Sequence, residues 1–360
     1  MRFMKVEQLA DLLRELSAAA GVAGDEEGAV SIAARYLQQY VDRVERDRFG
    51  NLIAFKRGER SGTAEQLSLA LFAHIDEIGA VVTKIEAEGF LRFTAVGGLN
   101  PRLLLGQAVV VHGRSSLKGV IGALAPHLLT EKERKKDLKT EHLYIDLGLT
   151  EAQARERLRV GDFISLEQTP LKLVGGAHLT GKALDNRAGV AAMIFCAAEL
   201  ADVKHQADLY FIATLQEEVG LRGAVTAAYN MAPDLAVALD VTYGQSPGSS
   251  GPDLFELGKG VAVAIGPNIH PLLSRKLEET AREQRILYQL EPIPESSSTD
   301  AWATQVSREG IPSALLSIPL RYMHSAVELV NLPDITSAGR LLSYFARGLD
   351  CSFVEGLSCF

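Results

Sequence analysis

The sequence predicts an α/β fold, in which a mostly parallel mixed sheet is flanked by helices and interrupted by a small β-rich domain. Two patterns lead to this prediction. Beyond residue 168, strand patterns alternate with helical periodicity, an order typical of a parallel sheet covered by helices. Between residues 77 and 167, short alternating strands are separated by glycine-rich turns. With 360 residues and 47% hydrophobic content, the chain can bury one large core and a second small one.

The chain begins with two predicted amphipathic helices, over residues 6–20 and 27–40, because apolar residues recur there at three- and four-residue spacing. Two short β-rich runs follow at 51–55 and 67–72. The second run is almost wholly apolar, as expected for a strand that is buried on both faces. It ends at the polar segment Ala73-His74-Ile75-Asp76.

The inserted segment, residues 77–167, is predicted to be a small domain with strands at 79–85, 108–112, 120–123 and 162–166. Within it, residues 131–142 are dense in charges of both signs. A docking patch is one interpretation of such a segment, but a solvated loop is the commoner structure for a mixed charge run, and we predict the loop.

The α/β alternation resumes after residue 168 and points to one domain built from two separated parts of the chain. We predict that residues 1–76 and 168–360 form this discontinuous domain and that it carries the functional site. Its later elements are predicted strands at 209–215, 235–239, 260–265 and 313–318 and predicted helices at 186–200, 221–229, 271–284 and 333–348.

Composition excludes several classes of partner. The formal net charge of -8 disfavours nucleic acids and anionic membranes, because both attract basic surfaces. The three cysteines, Cys196, Cys351 and Cys359, show no C-x-x-C spacing, which indicates a reducing compartment. The first five residues lack a secretory pattern, and the longest apolar run, 188–198, is shorter than the roughly 20 residues that a membrane span needs. We therefore expect a cytoplasmic protein without nucleic-acid or membrane partners.

Polar residues stand at successive predicted strand ends, where open α/β sheets bind their ligands. They are His74 and Asp76, Asp185, Glu217 and Glu218, Asp240, and His324. Most have an ordinary alternative when taken alone: His74 and Asp76 could form a surface or core pair, and Asp185 could cap the helix that follows. Glu217 and Glu218 could form a solvated corner, and Asp240 could close a turn. Those alternatives do not explain why five strand ends on one edge carry such groups.

Three carboxylates and two imidazoles are a suitable donor set for two hydrolytic cations, with one carboxylate shared between them. The set contains no cysteine, so a closed structural zinc site is disfavoured and a catalytic site with an open position is favoured. The sequence thus predicts a dinuclear metal site built from the residues at these strand ends.

The motifs around these residues resemble those of the tetrahedral dodecameric aminopeptidases, a family that includes glutamyl, leucyl, lysyl and deblocking aminopeptidases and members labelled endoglucanases. The resemblance covers nearly the whole chain, in order. It is carried by Ala73-His74-Ile75-Asp76-Glu77-Ile78-Gly79, Lys182-Ala183-Leu184-Asp185-Asn186-Arg187, Gln216-Glu217-Glu218-Val219-Gly220-Leu221-Arg222-Gly223-Ala224, Leu239-Asp240-Val241 and Arg321-Tyr322-Met323-His324-Ser325.

The resemblance implies that Asp185 bridges two divalent metals, with His74 and Asp240 completing one site and Glu218 and His324 the other. Zinc is the expected ion, with cobalt and manganese as alternatives.

The resemblance further implies that Glu217 is the general base of N-terminal peptide hydrolysis. Asp76 would then accept the second ring N–H of His74 and hold that imidazole in place.

The family also implies a zinc-peptidase-like catalytic fold, a PDZ-like inserted barrel, and dimers that assemble into a dodecamer. The chain departs from the family at Ser296-Ser297-Ser298, which precede Thr299-Asp300-Ala301 where a glycine-rich run is common. This departure, together with the Ser- and Gly-rich segment 243–252, affects the expected substrate pocket rather than the metal chemistry.

Three other functions are compatible with parts of this pattern. A cocatalytic-metal deacylase or amidase acting on small N-acyl compounds would use the same ligands. A glucanase would need two carboxylates and no metal, which leaves both histidines idle. An inactive scaffold would be expected to have lost some ligands, whereas all five are present.

Overall fold

The structure is a computed structural model that describes residues 4–59 and 66–357. Cys359 and the first three residues of the N-terminal segment lie outside the described residues, while Cys196 and Cys351 carry free thiols.

The strands are β1 (Arg43–Arg46), β2 (Leu52–Lys56), β3 (Ser68–His74), β4 (Gly79–Ile85), β5 (Leu91–Val96), β6 (Ala108–His112), β7 (Ser116–Ala123), β8 (Leu143–Asp146), β9 (Phe163–Leu166), β10 (Leu171–Lys172), β11 (His178–Gly181), β12 (Asp208–Thr214), β13 (Leu235–Tyr243), β14 (Val261–Ile265), β15 (Tyr288–Pro292), β16 (Ser313–Arg321) and β17 (Glu328–Asn331).

The helices complete the framework. They are α1 (Val6–Ala18), α2 (Glu27–Leu37), α3 (Pro101–Leu104), α4 (Glu131–Arg134), α5 (Glu151–Arg157), α6 (Leu184–Glu199), α7 (Arg222–Met231), α8 (Pro271–Glu283), α9 (Asp300–Gln305), α10 (Leu332–Arg347) and α11 (Cys351–Glu355). None of the helices within the described ranges has the length and hydropathy required to cross a membrane.

An 11-stranded mixed sheet forms the centre of the larger part of the molecule, in the order β1-β2-β12-β3-β13-β16-β17-β11-β10. Strand β14 adds to β16, and β15 adds to β14. The central pairs β12–β3, β3–β13 and β13–β16 are parallel, so their carboxyl ends meet at one edge. The predicted α/β class with a mostly parallel centre is confirmed.

The central strands are buried on both faces because helices cover the sheet from both sides. In β3, Leu69 and Leu71 enter a core shared with α1, α2, α6, α8 and α10, whereas Ala70 and Phe72 enter a core shared with α7 and α9. This division follows from the two-residue period of a strand. Helix α6 is apolar around most of its circumference and buried along nearly its whole length, which is the expected behaviour of a central helix.

The six strands β4 to β9 close into an antiparallel barrel in the order β4-β5-β8-β7-β6-β9. The barrel has a core of its own, which includes Val82, Val111, Ile121 and Ile145. The charged segment 131–142 forms short helical turns rather than a plain loop, and its described charged side chains are exposed, as expected for a solvated segment.

Two expected strand ends differ from the structure. His74 is the last residue of β3 rather than a residue beyond it, and Asp240 lies inside β13, which was expected to end at Leu239. The reason is pairing: β13 continues beside β16 as far as the Tyr243–Leu320 pair, so its polar residues remain in the sheet. Several short strands were also not predicted, among them β1, whose residues are mostly exposed and charged.

Candidate metal centre

The structure brings the five predicted ligands together at the carboxyl edge of the central strands. His74 ends β3, Asp185 opens α6, Glu218 follows β12, Asp240 lies in β13, and His324 follows β16. Their donor atoms form two compact groups, in each of which all atoms lie within 4.8 Å of one another. One group is His74, Asp185 and Asp240, and the other is Asp185, Glu218 and His324.

Asp185 belongs to both groups, and its two oxygens face different imidazoles. Oδ1 lies 3.2 Å from Nε2 of His74, and Oδ2 lies 3.4 Å from Nε2 of His324. A carboxylate in this position can bind one cation with each oxygen. His74, Glu217 and Glu218 form a third possible group, whose donor atoms also lie within 4.8 Å of one another. Glu217 therefore lies at the edge of the same cluster.

The donor spacing fits bound cations. Two ligands at about 2.1 Å from a tetrahedral ion stand about 3.4 Å apart. Three observed separations bracket this value: 3.9 Å between His74 Nε2 and Asp240 Oδ1, 3.6 Å between His324 Nε2 and Glu218 Oε1, and 3.2 Å between His74 Nε2 and Asp185 Oδ1. The residues present therefore fit two divalent ions that share one carboxylate.

The electrostatics of the cluster also favour cations. Burial raises the pKa of Glu217 to about 10 and that of Glu218 to about 7, with repulsion from neighbouring carboxylates adding to both shifts. Burial and the nearby carboxylates raise the pKa of Asp240 as well. His324, hydrogen-bonded to Asp185, has its pKa raised to about 9. Carboxylates this crowded require a positive charge between them, which protons or metal ions can provide.

Asp76 holds the two adjacent glutamates rather than the ring of His74. Its Oδ1 accepts the backbone N–H of Glu217 at 3.0 Å, and its Oδ2 accepts that of Glu218 at 3.1 Å. The predicted contact with Nδ1 of His74 is 3.6 Å long, which exceeds a hydrogen bond, and that nitrogen has no hydrogen-bond partner among the described residues. Asp76 thus acts mainly on the backbone of the Glu217–Glu218 segment.

Glu328 is a buried residue of the site that the sequence reasoning missed. Its Oε2 accepts the backbone N–H of Asp185, and its Oε1 accepts that of His324. The signal available in the sequence was an acidic residue four residues after His324, directly before the apolar pair Leu329 and Val330 of β17.

Asp300 is a second buried carboxylate near the cluster. Its Oδ2 accepts a hydrogen bond from the Thr214 hydroxyl at 2.5 Å, and its Oδ1 has no partner among the described residues. Burial raises the pKa of Asp300 to about 6. The charge of Asp300 contributes to the raised pKa of Glu217.

The cluster opens into a cavity of about 1060 Å³. Its wall includes Ser296, Ser297 and Ser298, the segment at which the sequence departs from the family pattern. From the segment 243–252 only Tyr243 contributes to the wall. The barrel reaches the same cavity through Gly98, which follows β5.

Comparison with known proteins identifies the family to which the chain is similar. A family model described as M42 glutamyl aminopeptidase matches residues 50–341. A lysyl aminopeptidase of Pyrococcus furiosus is 35% identical over 336 residues, which cover 92% of this chain and 94% of the relative.

Two solved structures extend the comparison to the fold. A TET aminopeptidase from the marine sediment archaeon Thaumarchaeota archaeon SCGC AB-539-E09 has a TM-score of 0.92 at 32% identity, covering 98% of this chain and 100% of that one. The TET1 peptidase of Pyrococcus horikoshii has a TM-score of 0.82 at 32% identity, covering 95% of this chain and 100% of that one. That peptidase can assemble into a tetrahedron or a large octahedral shell. The resemblance inferred from the five motifs is confirmed, and the chain belongs to the peptidase M42 family of aminopeptidases.

Proposed function

We propose that the chain hydrolyses the first peptide bond of peptides with a free N-terminus, using two divalent cations. The observation that carries the proposal is the position of Asp185, whose two oxygens lie 3.2 and 3.4 Å from the imidazoles of two separate donor groups. His74 and Asp240 would complete one metal site, and Glu218 and His324 the other. Zinc is the expected ion, and cobalt or manganese would suit the same donors.

When bound, two such cations polarise a carbonyl and lower the pKa of water. The remaining carboxylate at the cluster is that of Glu217, whose Oε2 lies 3.9 Å from His74 Nε2. Glu217 would take a proton from the attacking water and deliver it to the nitrogen of the leaving amine. The backbone N–H of Glu217 donates to Asp76, and this hydrogen bond would help to keep the carboxylate directed at the reacting atoms.

The cavity suits a substrate with a free amine. Its described wall contains no Lys or Arg, whereas carboxylates line it at several positions, including Glu217 and Asp253. Outside the metal cluster, an α-ammonium group entering this cavity meets only negative or neutral side chains. Acyl-amino acids lack that positive group. We therefore favour peptide hydrolysis over deacylation as the reaction of this site.

We also propose that the chain forms a closed homo-oligomer through its barrel. The barrel exposes apolar side chains that would be costly to leave in water, namely Leu103, Leu105, Val120, Leu124 and Leu128. The related TET1 peptidase assembles into shells. Light scattering on the purified protein should give a mass twelve times the 38.9 kDa of one chain if the assembly is a dodecamer.

The function is tested with aminoacyl-p-nitroanilides and matched N-acetylated peptides. They are assayed after chelation and after zinc, cobalt or manganese is restored. We expect metal-restored cleavage confined to free N-termini. Cleavage only of acylated substrates would replace the proposal with a deacylase, and chelator-insensitive cellulose hydrolysis would replace it with a glucanase. No turnover with any metal would indicate an inactive scaffold.

The role of Glu217 is tested by Glu217→Gln, which should lose essentially all turnover while still binding metal. The exposed Glu309→Gln is the control and should behave as the original protein does. Near-normal activity of Glu217→Gln would rule out Glu217 as the general base.

A further inference from the structure

Glu291 is a buried carboxylate in the wall of the cavity, and the proposed chemistry does not use it. It lies on β15 and is only 8% exposed. Its Oε2 has no hydrogen-bond partner in the part of the chain that the structure describes. A buried carboxylate oxygen without a partner is costly, so this side chain is prepared for a group that is not part of the chain.

Two hydroxyl side chains influence the carboxyl group of Glu291. Glu291 interacts with the side chains of Ser317 and Thr242, which belong to β16 and β13. Burial is the largest influence on Glu291 and raises its pKa, and the negative charge of Asp253 acts in the same direction. A cation placed against the free oxygen would counteract both the burial and the repulsion from Asp253, because it stabilises the charged carboxylate.

The position of Glu291 relates it directly to the metal centre. Thr242 lies two residues after the proposed ligand Asp240 on the same strand, so both side chains point to the same face. Two residues of a strand span about 6.6 Å. Ser317 is the register partner of Asp240 on β16. Glu291 therefore lines the same cavity as the metal cluster.

The remaining charges of the cavity have the same sign. Outside the metal cluster its wall carries three carboxylates, those of Asp253, Glu291 and Glu295, and no Lys or Arg among the residues described. An acidic substrate side chain would find no cationic partner there. A purely apolar side chain would leave the Glu291 oxygen unpaired, which a site of this kind penalises.

We propose that this cavity selects peptides whose N-terminal residue is Lys or Arg, and that Glu291 binds the cationic end of that side chain while Asp253 adds attraction at the exposed rim. This inference rests on the proposed aminopeptidase function. It assigns Glu291 and Asp253 to substrate selection and leaves the metal chemistry to other residues.

The sharpest test compares two substrates that differ only in a terminal ammonium group. The p-nitroanilides of lysine and norleucine have side chains of similar length, but only lysine carries an ammonium group. On the metal-loaded enzyme we expect kcat/KM for lysine to exceed that for norleucine by at least about tenfold, as a charge-assisted hydrogen bond requires. The glutamate substrate should be the poorest of the panel.

Glu291→Gln should reduce the lysine-to-norleucine ratio by about tenfold or more while changing kcat/KM for norleucine little. Asp253→Asn should reduce the ratio less, because Asp253 is exposed. The matched control is Glu256→Gln, an exposed carboxylate three residues along the chain that does not line the cavity, and its ratio should equal that of the original protein. A second readout is the binding of L-lysinamide against L-norleucinamide, measured by calorimetry on the metal-loaded Glu217→Gln variant.

The outcomes separate the two proposals. Cleavage of free N-termini without preference for lysine, or an unchanged ratio in Glu291→Gln, would overturn the selectivity and leave the aminopeptidase function standing. Absence of any cleavage would contradict the proposed function. In that case equal binding of the two amides would overturn the selectivity too, whereas tighter binding of L-lysinamide that Glu291→Gln abolishes would support Glu291 as a cation site.

Discussion

Glu328 accepts the backbone N–H of Asp185 at 3.0 Å, although 143 residues separate the two in the chain. The other oxygen of Glu328 accepts the backbone N–H of His324 at 2.9 Å. One buried carboxylate thus fixes the backbone of the proposed bridging ligand and that of a second ligand. Asp76 does the same for Glu217 and Glu218, which follow β12 at the same edge of the sheet. The residues proposed to hold and use the metals are thus positioned through their main chains.

Glu328→Gln should weaken metal binding without removing a ligand. An amide offers one acceptor oxygen where two backbone N–H groups need acceptors, so either Asp185 or His324 loses its hydrogen bond. Partners of this kind typically contribute about 10–100-fold to metal affinity or activity. Competition with a chelator of known affinity measures the change, and activity at saturating metal should recover in part.

The control for this variant is Asp334→Asn. Asp334 is also buried and accepts two backbone N–H groups, those of Gly258 and Gly260, but it belongs to neither donor group. The Asp334→Asn variant should lose stability while keeping its metal affinity. Equal losses of metal affinity in the two variants would assign Glu328 to folding alone.

Asp76→Asn should act on turnover more than on the affinity for substrate. Replacing one oxygen by an NH₂ group places a donor opposite the N–H of Glu217 or Glu218, and the segment carrying the proposed base must shift. We expect kcat to fall by at least about tenfold with a smaller change in KM. Steady-state kinetics at saturating metal tests this, and a change confined to KM would contradict it.

The sequence predicted the sheet and the edge at which the proposed ligands cluster, because both depend on local patterns. The apolar run of β3, followed at once by His74, is a signal that needs no knowledge of the partner strands. Parallel pairing then brings the ends of several such strands together, so the separate motifs identified one edge. That part of the prediction rested on periodicity and on the general position of sites in α/β sheets.

The hydrogen bonds that orient the ligands could not be predicted in this way. Asp76 stands two residues after His74, which suggested a contact with that ring, yet its partners follow β12. They meet because the register of β3 and β12 places His74 beside Thr214, which brings the two following segments into contact. Glu328 likewise depends on β17 returning beside β16 and β11. Such contacts arise only after the strands have paired.

Gly98→Ala should disturb one metal site from within the barrel domain. A Cβ at position 98 would lie 2.4 Å from Nδ1 of His324, so the imidazole would have to move. We expect a loss of metal affinity on the order of tenfold. Titration of the metal-free protein with zinc should detect it. Gly175→Ala is the control because its Cβ would meet no neighbouring atom within 4 Å. Equal affinities in the two variants would contradict the prediction.

Glu77→Gln should cause the largest loss of stability among these variants. Both oxygens of Glu77 accept hydrogen bonds from the Lys182 ammonium at 2.6 Å, and Arg187 lies 3.4 Å from one of them. The three side chains are 4% exposed or less. Burial lowers the pKa of Lys182 to about 8, and the charge of Glu77 opposes that shift. Without this carboxylate, two buried cations lose their counter-ion.

Removing one partner of a buried ion pair costs about 3–5 kcal/mol of unfolding free energy. Chemical denaturation of Glu77→Gln at fixed protein and metal concentrations measures this loss. Glu59→Gln is the matched control, because Glu59 pairs with Lys204 on an exposed surface and its removal should leave stability essentially unchanged. If the two variants lost the same free energy, the buried pair would contribute no more than an exposed one. The Lys182–Glu77–Arg187 cluster would then have no special part in holding the segments that carry Asp76 and Asp185.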